Sequence, residues 1–247
     1  ATLPNGARVQ IISPPATRAH IALAIRKHTV ADMGLEQYEQ SGAFAFVRSG
    51  GADARVERRA ALKRLLDARD IYGFFQAAIK ARANIVISGG TASGKTTLLN
   101  ALLKEIPLEE RLIVIEDTPE VKLGRANSVG LVAVKSELGE ARTSVDDLMQ
   151  ASLRMRPDRL LVGEIRGPEA FTFLRAINTG HPGSITTVHA DSPQGAFDQI
   201  SFMTLQAGLT LTRADVVEYA RNVIDVVAQV ARVNGRRVVT DIALGAG

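Results

Sequence analysis

The alternation of apolar and polar positions divides the chain into three stretches. In residues 1–30, Arg8–Ser13 (RVQIIS) and His20–Lys27 (HIALAIRK) alternate as strands do, on either side of a Pro14–Pro15 turn. Two strands cannot bury a core alone, so this piece is expected to be the C-terminal part of a β-rich N-terminal domain. Residues 31–70 are less regular, break most clearly at Ser49-Gly50-Gly51, and read as a linker. Within them Val56–Ala68 has apolar residues at helical spacing among Arg58, Arg59, Lys63 and Arg64. That predicts a helix with one packed and one wet face; contact with a membrane or partner is the alternative use of such a basic helix.

From Ile71 strands and helices alternate. Asn84–Ser88 (NIVIS) predicts a buried strand, then a Gly-rich loop and a helix to about Leu103. Arg111–Glu116 (RLIVIE), Arg159–Val162 (RLLV) and Ser184–Val188 (SITTV) predict further strands. A helix over Val145–Met155 is announced by Ser144 and Asp147 at capping-box spacing. Others open at Gly167-Pro168-Glu169 and Ser192-Pro193. Val226–Val233 and Arg237–Ala243 around Asn234-Gly235 read as a hairpin with a type I′ turn. Such alternation implies an α/β fold over 71–247, with a mostly parallel sheet covered on both faces.

The loop between the first of these strands and its helix carries the chemistry. Gly89-Gly90-Thr91-Ala92-Ser93-Gly94-Lys95-Thr96 fits GxxxxGK[ST] in the strand–loop–helix context that the motif requires. The glycines let backbone N–H groups curl around phosphate oxygens, and the helix N-terminus adds partial positive charge. Lys95 reaches the β- and γ-phosphates, Thr96 offers a hydroxyl to Mg²⁺, and Thr97 follows in the first helical turn. A turn that merely tolerates glycine leaves Lys95 and Thr96 unexplained. The expected ligands are therefore ATP and Mg²⁺.

Hydrolysis also needs carboxylates at the ends of neighbouring strands. Arg111–Ile115 runs into Glu116-Asp117, and Leu160–Val162 runs through Gly163 into Glu164. Acids at the carboxyl ends of parallel strands lie on the ligand edge of such a sheet; capping the next helix or pairing with Arg166 is their structural alternative. Gly163 stands where a metal-holding Asp is usual, so Glu164 is assigned to water and metal organisation. Glu116 is the candidate general base, though sequence leaves open which of the two removes the proton.

Composition changes this picture little. The chain has 247 residues, no cysteine and a formal charge of +4. No stretch approaches the roughly 18 to 20 apolar residues of a membrane span, and Ala1–Gln10 lacks the layout of a secretory signal. The absence of cysteine excludes disulfides and thiolate metal sites. A cytoplasmic location is expected.

Four blocks together carry a family resemblance: GGTASGKT (89–96), LIVIEDTPE (112–120), RMRPDRLLVGEIRG (154–167) and NTGHPGSITTVHAD (178–191). They resemble the Walker A, Asp-box, Walker B and His-box blocks of RecA-like secretion ATPases, a superfamily of type IV secretion, conjugation and type II secretion ATPases and type IV pilus motors. The Gly163-Glu164 version of Walker B is usual there. The resemblance implies that Asp117 of the Asp box lies near the metal. It also implies that His181 and His189 of the His box lie near the γ-phosphate. A zinc site at these histidines with Asp191 fits no common spacing.

Residues 3–27 look like the last strands of the N-terminal domain in the VirB-type branch, where arginines on these strands reach the nucleotide. Arg8 and Arg26 stand in the matching places. A guanidinium there offers phosphate a planar, bidentate clamp. The resemblance further implies a homohexameric ring, peripheral at the cytoplasmic face of the bacterial inner membrane beside type IV secretion components. Its motor would drive substrate translocation or pilus assembly by domain closure. A helicase-like nucleic-acid motor and a non-hydrolysing, nucleotide-gated assembly factor are the competing classes. The chain lacks aromatics interleaved with its basic residues, which argues against direct nucleic-acid binding.

Overall fold

A computed structural model describes residues 1–27, 33–47, 54–134 and 143–245. The predicted break at Ser49-Gly50-Gly51 lies outside the described residues. The elements follow in the order β1 (Arg8–Ile12), β2 (Ala22–Arg26), α1 (Leu35–Gln40), α2 (Ala54–Asp67), α3 (Ile71–Lys80), β3 (Ile85–Ser88) and α4 (Lys95–Lys104). Then come β4 (Leu112–Glu116), β5 (Ser128–Val132), α5 (Val145–Ser152), β6 (Arg159–Val162) and α6 (Glu169–Thr179). The chain continues with β7 (Ile185–Val188), α7 (Pro193–Leu205), α8 (Arg213–Val223), β8 (Val226–Val233) and β9 (Arg236–Leu244).

Seven strands form one sheet in the order β5-β4-β6-β7-β3-β8-β9, and β1 and β2 pair only with each other. Within the large sheet every pairing is parallel except the β8–β9 hairpin. The central strands β3, β4, β6 and β7 are buried throughout because both faces are covered. Successive side chains point to opposite faces, which splits the core in two. Ile85, Ile87, Val114 and Leu161 pack with Phe74 and Ile79 of α3 and Leu99 and Leu103 of α4. Val86, Ile113, Ile115 and Val162 pack on the other side with Phe173 of α6 and Ile200 of α7.

Local chemistry fixes the ends. Ser144 and Thr212 each accept a hydrogen bond from the backbone N–H three residues on and complete capping boxes at α5 and α8. Asn234 and Gly235 both have positive φ, 50° and 79°, as a type I′ turn requires. Helix α5 ends at Ser152, three residues before the predicted Met155.

The N-terminal strands are anchored to the large sheet through the segment after β1. The Ala16 carbonyl accepts from the Val132 N–H at 3.0 Å, the Arg18 N–H donates to the Gly130 carbonyl at 3.1 Å, and Thr17 bridges Leu131. Residues 16–18 thereby cover the open edge of β5, which would otherwise present unpaired backbone groups. Ile12 joins the core on that side.

Candidate active site

The sheet order brings the ends of β3, β4, β6 and β7 together at one edge. Residues 90–97 line a cleft of about 420 Å³ there, with Glu116, Asp117, Glu164 and His189 on the other walls. Its size falls in the range of small-molecule sites. Gly94 is the N-cap of α4 with φ 104°, a left-handed conformation that glycine adopts without strain. Gly89 abuts Ser93 and the Val230 carbonyl so closely that an added Cβ would lie 2.4 and 2.5 Å from them.

Lys95 is 8% exposed. Its ammonium donates to the carbonyls of Gly89 at 2.9 Å and Gly90 at 3.2 Å. Glu164 Oε1 lies 3.7 Å from it and 2.7 Å from His189 Nε2, and Lys95 Nζ lies 3.3 Å from that same nitrogen. Burial pulls the Lys95 pKa below its ordinary value, while the Glu164 carboxylate acts to raise it. A cation, an imidazole and a carboxylate are thus gathered at one point of the loop. Arg166 holds the other oxygen of Glu164 and reaches Asp117 at 3.4 Å, so the pairing weighed from sequence is present.

Glu116 is 4% exposed and fully engaged. Its Oε1 accepts from the N–H groups of Glu120 at 2.9 Å and Val121 at 2.8 Å, and its Oε2 pairs with Arg18. Arg18 also donates to the Val121 carbonyl at 2.7 Å. Two glycines make room for this pair. A Cβ at Gly163 would lie 2.8 Å from Glu116 Cγ, and one at Gly130 would lie 2.5 Å from Arg18 Cδ. Close approach of Glu116 is therefore the physical reason for glycine in place of the usual Walker B acid. The loop that Glu116 anchors carries Glu120, which accepts from the Thr96 hydroxyl at 2.9 Å. Glu116 is in this geometry an anchor for that loop, and Glu164 is the acid at the phosphate end.

Three expected site residues, His181, Arg8 and Arg26, lie away from their own chain's phosphate loop. His181 and His189 stand at opposite ends of β7, because the eight residues between them include a whole strand. His189 lines the loop cleft; His181 Nδ1 lies 2.9 Å from the Pro157 carbonyl at the far edge of the sheet. Arg8 and Arg26 sit opposite each other across β1 and β2, and they also face that far edge. They line a second cleft of about 1110 Å³ with Arg111, Arg154, Arg156 and His181. These residues precede β4, β6 and β7, whereas the phosphate loop follows β3. Neither arginine lines its own chain's phosphate cleft.

Sequence reading missed Arg18, Glu120 and Arg237, the last of which also lines the phosphate cleft. No local motif marks Arg18 or Arg237, and the block at 112–120 contains Glu120 without showing that it meets Thr96. For the nucleotide and metal, the donor set fits: loop amides and Lys95 for phosphate, with hydroxyl and carboxylate oxygens of Thr96, Glu164, Asp117 and Glu120 for a hard cation. Mg²⁺ is held by one or two carboxylates plus phosphate and water more often than by an all-protein cage. No cluster of three or more His, Cys, Asp or Glu side chains placed to hold a metal ion occurs among the described residues.

The sequence profile described as "Type II/IV secretion system protein" matches residues 65–239. The chain belongs to this family. A type IV secretion system protein VirB11 of Bartonella quintana is 38% identical to it over 98% of this chain and 72% of its own length. One from Brucella suis is 40% identical over 83% of this chain and 58% of its own length. The crystal structure of the Brucella suis VirB11 ATPase in complex with sulphate superposes with a TM-score of 0.87 at 36% identity, covering 99% of this chain and 75% of that one. The pilus retraction motor PilT with bound ADP shares the fold alone, at a TM-score of 0.55 and 20% identity. With the loop geometry, family membership makes this chain a RecA-like ATPase, and the helicase-like alternative is not favoured.

Proposed function

We propose that the chain is the motor of a bacterial type IV secretion system, forming a homohexameric ring that hydrolyses ATP with Mg²⁺. The ring would stand at the cytoplasmic face of the inner membrane and drive substrate translocation or pilus assembly. No helix among the described residues is long and apolar enough to cross a membrane, which suits peripheral association. The observation that carries the chemistry is the meeting of Lys95, Glu164 and His189 at one end of the loop. Lys95 binds the β- and γ-phosphates and stabilises charge as the bond breaks. Glu164 orients the attacking water and accepts its proton, held in place by Arg166. Thr96, Glu164 and Asp117 would hold Mg²⁺, which when bound neutralises charge on the phosphates.

The position of Arg8 and Arg26 supports a ring. Both are too far along the sheet to serve their own loop, so in this reading they complete the site of a neighbouring copy across a head-to-tail interface. Mixing two silent variants tests it. Lys95→Ala removes the loop cation, and a chain carrying Arg8→Ala and Arg26→Ala removes the clamp. In mixed rings, roughly a quarter of interfaces then pair an intact loop with intact arginines. ATP turnover should reappear in the mixture at about that fraction of the parent rate. Mixed hexamers that stay silent would refute completion in trans.

A further inference from the structure

Arg237 projects from β9 over the phosphate loop. Its stem lies on Gly94: a Cβ added there would stand 2.8 Å from Arg237 Cδ and 3.2 Å from its Cβ and Cγ. The glycine required by the left-handed turn thus also seats an arginine. The guanidinium Nη1 lies 3.4 Å from the Thr97 hydroxyl, a weak contact, and among the described residues Arg237 forms no ion pair. β9 pairs with β8, where Arg237 stands opposite Arg232, and β8 pairs through Val226–Gln229 with β3, the strand that leads into the loop.

The neighbours of Arg237 locate it along a bound nucleotide. Lys95, with Glu164 and His189, marks the β- and γ-phosphate end. Loop amides leading into the helix cradle the α- and β-phosphates. Arg237 touches Gly94 and Thr97 and is not among the partners of Lys95. We infer that Arg237 is a nucleotide-binding residue that clamps the α-phosphate, the group that ATP and ADP share. A guanidinium on a packed stem suits that task, because its planar fork matches two phosphate oxygens with little freedom left to lose. The inference rests on this cleft being the nucleotide site.

The test is equilibrium binding of ADP, ATP and GDP to the full chain, alongside steady-state turnover. Arg237→Ala should raise Kd for all three by a common factor of about ten or more, as expected for losing a charge-assisted contact. The defect should appear in KM for ATP and not in kcat, since the contact is equal in ground and transition states. Arg237→Lys should recover part of the affinity. Arg237→Gln keeps the stem on Gly94, so it reports on charge even where the alanine variant melts early. Unchanged ADP affinity would overturn the inference, as would a fall in kcat with Kd intact. Unequal effects on ADP and GDP would place the contact on the base instead and also overturn it. Lys95→Ala with parent-like ADP and ATP binding would show that the cleft itself had been misread, a different failure.

Discussion

Gly163 shows how one missing Cβ arranges the acids of this site. A side chain there would meet Glu116 Cγ at 2.8 Å, and Glu116 has no room to yield because Arg18 and two backbone N–H groups hold its carboxylate. Gly163→Ala should therefore cost about 1–3 kcal/mol, the usual range for overpacking. Thermal melting should register the loss, and ATP turnover should fall with it as the Asp-box loop shifts. A variant matching the parent in both would show that the pocket relaxes freely. At this scale the phosphate loop was legible because its residues act at fixed local spacing. The rank of the acids was not. Glu116 and Glu164 both end strands, and only their partners, Arg18 on one and Lys95 on the other, separate anchor from candidate base. His181 stands apart from its own chain's loop for a simpler reason, since a whole strand separates it from His189.

Among the elements, the segment at residues 16–18 links the N-terminal strands to the chemistry. It covers the edge of β5 and delivers Arg18 to Glu116. Burial lowers the Arg18 pKa from its ordinary value, yet a guanidinium remains charged at any working pH. Arg18→Ala leaves a buried carboxylate without its cation, which is costly, and slackens the loop carrying Asp117 and Glu120. We expect kcat to fall on the order of tenfold, with a smaller rise in KM and partial recovery in Arg18→Lys. Equal loss in Arg18→Lys and Arg18→Ala would reduce the residue to packing.

Apart from β5, the strands of the large sheet, including the β8–β9 hairpin, were readable because buried β-runs and Asn-Gly turns are local signals. Helix α8 was missed although Thr212 and Asp215 form a capping box, because its surface is largely polar. β5 was missed as well: its Gly130 weakens the strand pattern, and Arg18 is the reason it is glycine.

For the whole molecule, the two ends of one sheet carry different clefts. The carboxyl end holds the phosphate loop, and the amino end holds Arg8, Arg26 and their basic cleft. The α/β class followed from strand–helix alternation. Which strand sits beside which did not, because strand order depends on crossovers that leave no mark on local pattern. That order decides the site: it sets β6 and β7 between β4 and β3, and so brings Glu164 and His189 to Lys95.

The most direct test of this account is the Glu164→Gln chain, measured for ATP binding and for hydrolysis in the same preparation. The substitution keeps size and removes the charge proposed to accept the proton. The expected result is ATP affinity close to the parent with turnover lowered by about a hundredfold or more. Parent-like turnover in a chain that binds ATP normally would contradict it.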